Sequence, residues 1–380
     1  MKLFALDDAA CRRLAEGGTP LFAYSLGVAE AQYRRLRAAL PSRAILAYAV
    51  KANPHPELLA RFAALGAAFD CASAGELERV RNLAPRRLFY AGPGKRDAEL
   101  RLAQELGARV QAEGWEDLER LDRFASGPVA VNLRVHPAAG VEEASPIIGG
   151  TGPSAFGVDE EDLPALLERA KGLRHVAIRG LHVFAASNER DASRLLATHA
   201  RVLAMGRALQ EALGTPLEQI DLGGGLGVPY APGEAELDAE ALGRGLETLL
   251  AANPWFTGRL VLEPGRYLAG PCGIYLARVT RVKESRGVRF AILEGGVNHL
   301  LRPLLTGQPF PARAVGKAGQ MRPATLAGPL CTSLDRLGDV LLPELAPGDL
   351  IALGMAGAYG FTEAMAPFLS HPVPREVWEA

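Results

Sequence analysis

Lys51 closes a short apolar run, Ala44-Ile45-Leu46-Ala47-Tyr48-Ala49-Val50-Lys51, bounded by Pro41-Ser42 and Asn53-Pro54. The run is too short for a useful helix and reads as a buried strand. A lysine at the C-terminal tip of such a strand is expected to be shielded from water. Burial depresses an amine's pKa, and a neutral amine condenses with an aldehyde to a Schiff base. A lysine that caps the strand in solvent is the alternative. Further on, Glu263 directly follows Leu260-Val261-Leu262 and precedes Pro264-Gly265-Arg266, while Gly223-Gly224-Gly225 follows Asp221-Leu222. A glycine run after a strand lets backbone N–H groups approach a phosphate, although a tight turn needs the same residue. A Schiff-base lysine, a phosphate cradle and a carboxylate for a pyridinium nitrogen are the parts that hold pyridoxal phosphate, an electron sink for a carbanion at a substrate α-carbon.

The elements that must position these groups repeat. Short apolar strands are expected at 45–50, 67–71, 87–91, 108–112, 129–135, 176–184, 219–222 and 259–263, with amphipathic stretches between most of them. One helix opens at His55-Pro56-Glu57 with Leu58, Phe62 and Leu65 on a face, a second at Gly75-Glu76 with Leu77 and Val80 inward, and a third runs from Trp115 to Phe124. Eight strand–helix repeats predict an α/β (β/α)8 barrel with its chemistry at the C-terminal strand ends, a doubly wound open sheet being the main alternative. The strand ends carry Lys51, Asp70, His182 through Asn188, Asp221 through Gly227, and Glu263 through Arg266. The rhythm changes after residue 270. Strands at 274–282, 288–293, 322–327 and 350–353, punctuated by Ser285-Arg286-Gly287 and Pro347-Gly348-Asp349, predict a mostly β domain. The boundaries expected are 27–270 for the barrel, with 1–26 and 271–380 for the β-rich part. That part carries Gly328-Pro329-Leu330-Cys331-Thr332-Ser333-Leu334-Asp335 and Gly357-Ala358-Tyr359-Gly360. Cys331 is either a small buried residue or, facing the cofactor, a thiol that returns a proton to the carbanion.

Composition excludes other classes. The 42 basic and 43 acidic residues leave no field for nucleic acid or an anionic membrane, and no apolar run reaches spanning length. Acid arrives too early at Asp7-Asp8 for a signal peptide, and Cys11, Cys71, Cys272 and Cys331 lack zinc or disulfide spacing. A cytoplasmic protein without a metal site is expected.

In this order the motifs resemble the fold-type III pyridoxal phosphate decarboxylases, the diaminopimelate/ornithine decarboxylase family. They are Ala-Val-Lys-Ala-Asn at 49–53, Phe-Asp-Cys-Ala-Ser-Ala-Gly-Glu at 69–76, the glycines at 223–225, Glu-Pro-Gly-Arg at 263–266, Gly-Pro-Leu-Cys at 328–331 and Gly-Ala-Tyr-Gly at 357–360. The resemblance spans nearly the whole chain. It implies that Lys51 holds the cofactor aldehyde, with Asp70 nearby, and that Glu263 meets the ring nitrogen. It implies that Ser187, Gly224, Gly225, Gly265, Arg266 and Tyr359 surround the cofactor and its phosphate, that Cys331 is the proton donor, and that His299, Arg302 and Asp335 lie near the substrate. It further implies a homodimer in which the cysteine loop reaches the partner's barrel.

Departures bear on substrate. The family's ring-stacking histidine is Phe184 here, which still stacks but offers no hydrogen bond. His182, on the same strand face, either shares that role or is a satisfied core histidine. Arg302-Pro303 resembles the diaminopimelate branch, whose arginine lies near a substrate carboxylate. That branch's tyrosine is Thr306 and its glutamate after the cysteine is Thr332, which leaves a distal ammonium without a countercharge. The ending Phe368-Leu369-Ser370-His371-Pro372 looks like the subgroup from biosynthetic gene clusters, some of whose members act on an amino acid held on a carrier protein. The expected activity is therefore decarboxylation of an L-α-amino acid, free or carrier-bound. Diaminopimelate decarboxylation is the alternative, and a cofactor-binding homologue without turnover is the alternative of another class. A racemase of this barrel type would want a tyrosine where Cys331 stands and an arginine in place of Glu263.

Overall fold

The computed structural model describes residues 2–138, 152–184 and 186–379. The chain forms two compact units: Met1–Gln32, Val228–Glu236 and Arg266–Ala380 in one, Tyr33–Gly227 and Leu237–Gly265 in the other. In the second unit eight parallel strands pair in the order Ala44–Ala49, Ala68–Cys71, Leu88–Tyr90, Arg109–Ala112, Val129–His136, Val176–His182, Gln219–Asp221 and Arg259–Leu262. Leu260 then pairs with Ala44 and the ring closes, so the fold is a (β/α)8 barrel and not an open doubly wound sheet. A two-residue strand, Val158–Asp159, adds to the side of Val129–His136.

Strand periodicity decides which side chains reach the interior. In Ala44–Ala49, Ile45 and Ala47 pack inside with Ala68, Phe89 and Val261. The alternate residue Tyr48 packs on Phe62 of the helix Pro56–Ala64, ring centroids 4.4 Å apart. The same parity continues from Val261 to Glu263, from Ala68 to Asp70 and from Gly180 to His182, which brings polar side chains to the C-terminal mouth. Helices start where a side chain caps them: Ser73 Oγ accepts from the Glu76 N–H, and Asp191 accepts from the N–H groups of Ser193 and Arg194. The 22-residue helix Ala192–Leu213 stops at Gly214, which takes the left-handed conformation.

The other unit is built on one long strand, Gly273–Ser285. Its first half pairs antiparallel with Leu21–Ser25 and Leu350–Leu353, and its second half with Val288–Leu293. Arg286 and Gly287 both have positive φ, the geometry of a two-residue hairpin turn. Leu21, Ala23, Ile274, Leu276 and Ala352 form its core, covered by Ala10, Cys11 and Ala15 of the helix Asp8–Glu16.

That helix was not expected, nor were the strands Ala312–Ala314, Arg336–Leu342 and Arg375–Glu379. Gly338 and Asp339 interrupt one of these strands in sequence, and Arg375–Glu379 is mostly charged. Register against Leu21–Ser25, not intrinsic propensity, makes it a strand.

Candidate functional site

Lys51 sits in a one-turn helix, Val50–Ala52, just past the first barrel strand. Val50 and Ala52 turn inward, and the Lys51 side chain keeps 42% of its surface exposed. The expected shielding of this lysine is thus corrected: burial of the strand ends one residue earlier, and the turn lifts the amine into the open mouth. Its Nζ lies 3.5 Å from Asp70 Oδ2 and 5.8 Å from the ring centroid of Phe184.

Opposite parity would have turned Glu263 away from the barrel interior; instead it points inward and is buried, its Oε1 without a hydrogen-bond partner. Burial, reinforced by the charges of Asp221 and Asp70, pushes its carboxyl well above the usual range. Burial likewise raises Asp221, which accepts from Gln111 Nε2 at 2.7 Å and from the Gly223 N–H at 3.0 Å, to about 6. His182 Nε2 stands 3.6 Å from Glu263 Oε2, too long for a hydrogen bond, and both its ring nitrogens are unsatisfied and buried. Burial, then the charges of Arg134, Lys51 and Lys95, holds it well below its ordinary pKa. His182, Asp221 and Glu263 are close enough to share a metal ion. Their place beside the lysine turn and the glycine cradle, together with the orphan Oε1 of Glu263, also suits a ring nitrogen. His182 thus belongs to the depth of the barrel, while Phe184 is the aromatic beside Lys51.

The glycines form a cradle with no room for side chains. A Cβ on Gly224 would stand 2.6 Å from the Glu263 carbonyl oxygen, and one on Gly225 2.6 Å from that of Ala186. Gly223 and Gly225 also take positive φ. The Glu263 N–H donates to the Gly223 carbonyl at 2.8 Å, locking the seventh and eighth strand ends together. Gly265 packs on Ala52 and Ala49, behind the lysine turn. Ser187 is half-buried and follows Ala186, whose carbonyl faces Gly225, and Ala185 lies outside the described residues. A buried carboxyl with an orphan oxygen, a backbone cradle and an accessible lysine amine fit pyridoxal phosphate.

In the β-rich unit, Arg266 opens a four-residue helix and donates from Nη1 to Tyr230 Oη at 2.8 Å. Tyr359, itself at positive φ, has the guanidinium carbons of Arg266 and Arg302 at 5.1 and 4.3 Å from its ring centroid. Arg302 is buried and bonds both carboxylate oxygens of Glu363 through Nη1, at 2.9 Å each. Asp335 accepts the Val297 N–H on one oxygen and the Leu330 N–H on the other. His299 Nδ1 meets Tyr275 Oη, and Nε2 meets the Pro372 carbonyl, both at 3.0 Å. Those two residues are already committed to the fold. Cys331 is exposed. Tyr230, Glu363, Gln111 and the buried Asn132, whose Nδ2 donates to Gln219 Oε1 at 3.2 Å, escaped the sequence reading. The last two sit at inward positions of strands, a parity that signals them, whereas Tyr230 and Glu363 lie in irregular segments without such a signal.

The pyridoxal-binding domain of pyridoxal-dependent decarboxylases matches residues 26–270. The chain is 31% identical to the L-glutamyl-[BtrI acyl-carrier protein] decarboxylase of Niallia circulans, over 94% of this chain and 88% of that one. It is 33% identical to the diaminopimelate decarboxylase of Zymomonas mobilis, over 96% and 88%. The crystal structure of Helicobacter pylori diaminopimelate decarboxylase complexed with L-lysine superposes with a TM-score of 0.88 at 26% identity, covering 97% of this chain and 94% of that one. With the closed barrel, the cradle and the buried acid already in place, these matches make the chain a member of the pyridoxal-dependent decarboxylases, an amino acid carboxy-lyase that works with pyridoxal phosphate.

Proposed function

We propose that this enzyme removes the α-carboxylate of an L-α-amino acid, free or held on a carrier protein, whose distal end is not an ammonium. The observation that carries this is the state of the two threonines. Thr306 Oγ1 donates to the Arg302 carbonyl at 2.9 Å, and Thr332 Oγ1 accepts from the Leu334 N–H, so neither offers a charge. A desolvated ammonium facing two neutral hydroxyls would be left without a countercharge.

When bound, pyridoxal phosphate supplies the sink for the electron pair left as CO2 departs. Lys51 would hold its aldehyde, with Asp70 steering the amine. Phe184 would stack on the ring and exclude water from one face. Glu263 would meet the ring nitrogen and hold a proton there, with His182 packed beside it at 3.6 Å. Gly224, Gly225 and Ser187, with Arg266 and Tyr359, would bind the phosphate. Cys331 would deliver a proton from Sγ to the substrate α-carbon. This last role rests on the Gly328-Pro329-Leu330-Cys331 motif, as does the homodimer with shared sites. Four cysteines without disulfides support a cytoplasmic setting.

Arg302 favours a second reading, diaminopimelate decarboxylation. CO2 release by the cofactor-loaded protein separates the two. With meso-diaminopimelate, lysine, ornithine, arginine and glutamate offered, no release from any of the first four is expected. Release from meso-diaminopimelate would establish the second reading.

A further inference from the structure

We propose that Glu363 is the resident counter-ion of Arg302 and sets the enzyme's selectivity, so that the substrate's distal end must be an uncharged acyl linkage, an amide or a thioester. The proposal rests on the reading that places Arg302 beside the substrate, and it names the class of substrate that reading leaves open.

Arg302 begins the short helix Arg302–Thr306, and its guanidinium is fixed from two sides. The Tyr359 ring lies against it at 4.3 Å, and both Glu363 oxygens bond the same Nη1 at 2.9 Å. Only 5% of the Arg302 side chain is exposed, against 32% of Glu363. A buried guanidinium needs a partner, and here the chain itself supplies one. A carboxylate on the substrate could use Arg302 only by displacing Glu363 or by sitting beside its like charge, which costs affinity in either case. An ammonium gains little, because the charge of Glu363 is already balanced by the Arg302 guanidinium, which repels a second cation. The other side chains placed near the substrate by resemblance have partners of their own. Asp335 holds two backbone amides, His299 has both nitrogens bonded, and Thr306 is turned onto the Arg302 carbonyl. A neutral carbonyl can still accept from a guanidinium whose charge is balanced, without a second anion entering.

The test titrates the holoenzyme with matched pairs, L-glutamate against L-glutamine and L-aspartate against L-asparagine. The N-acetylcysteamine γ-thioester of L-glutamate stands for a carrier-held acyl group. Binding is read from the cofactor's visible absorbance, independently of turnover. In the wild type the amide or the thioester is expected to bind and the matched acid to bind at least ~10-fold more weakly. Glu363→Gln is expected to strengthen acid binding by ~10-fold or more while leaving the neutral ligand within about three-fold. Glu363→Asp, which keeps the charge, should restore the wild-type discrimination and guards against a merely misfolded variant. Response to the amide assigns a free substrate, and response to the thioester alone assigns a carrier-held one. Acid and neutral partner binding alike in the wild type, or a ratio untouched by Glu363→Gln, would overturn the role of Glu363 and leave the decarboxylase reading intact. A visible band that no ligand perturbs would overturn both the role of Glu363 and the placement of Arg302 at the substrate.

Discussion

At the scale of single residues, Lys51 and Cys331 separate cofactor attachment from proton delivery. Lys51→Ala is expected to abolish the visible absorbance of the purified protein, because no other lysine is described beside Asp70 and Phe184. Cys331→Ala is expected to keep that absorbance and slow turnover by about 10²-fold or more, the size of a lost general acid. Absorption spectra and CO2 release on the same preparations check both. Lys51 was legible as the reactive residue from its place after a strand, but its exposure was not. Burial follows from where a strand ends, and a three-residue turn moves that end by one position. Arg302 was equally legible, yet its partner Glu363 lies 61 residues away in an irregular segment. No local pattern encodes such a pairing.

The strand ends act as units. Gly224→Ala places a methyl 2.6 Å from a backbone oxygen that belongs to Glu263 itself, so relief must move the acid. Loss of cofactor retention is expected, with destabilisation on the order of 1–3 kcal/mol, measurable by dialysis and thermal unfolding. The carboxyl of Asp221 is held above its ordinary value in the folded barrel, so the fold binds a proton that the unfolded chain releases earlier. Its contribution is intact below about pH 4, where both states are protonated. It is lost as pH rises toward about 6, at a cost on the order of 2–3 kcal/mol. Asp221→Asn is expected to flatten that part of the apoprotein's stability-versus-pH curve in denaturant titrations. A turn of the Gln111 amide would let its Oε1 accept from the new Asn side chain. The eight barrel strands were legible because each is a short buried run between breakers. Gly273–Ser285 and its hairpin were legible from the Ser285-Arg286-Gly287 turn that separates two runs rich in β-branched residues. Strands such as Arg375–Glu379 were not, because an edge partner rather than composition makes them.

At the scale of the whole molecule, the proposed homodimer with shared sites has a direct consequence. Lys51→Ala and Cys331→Ala variants, each inactive or slow alone, are expected to recover about a quarter of wild-type activity after unfolding and refolding together. Half of the random dimers would be mixed, and each mixed dimer would carry one intact site. Recovery that stays at the level of the separate variants would place both residues in one subunit's site.

Closure of the barrel has a bearing on how the chain is made. Ala44, Ile45 and Leu46 find their lateral partners only at Leu260, Val261 and Leu262. A ribosome must therefore deliver more than half of the protein before the first strand is covered on both sides. Until then its apolar edge stands open through synthesis of the whole intervening segment, a state that invites pairing with other nascent chains. Truncations that stop short of Leu262 should accordingly fail as aggregates and not as smaller folded barrels.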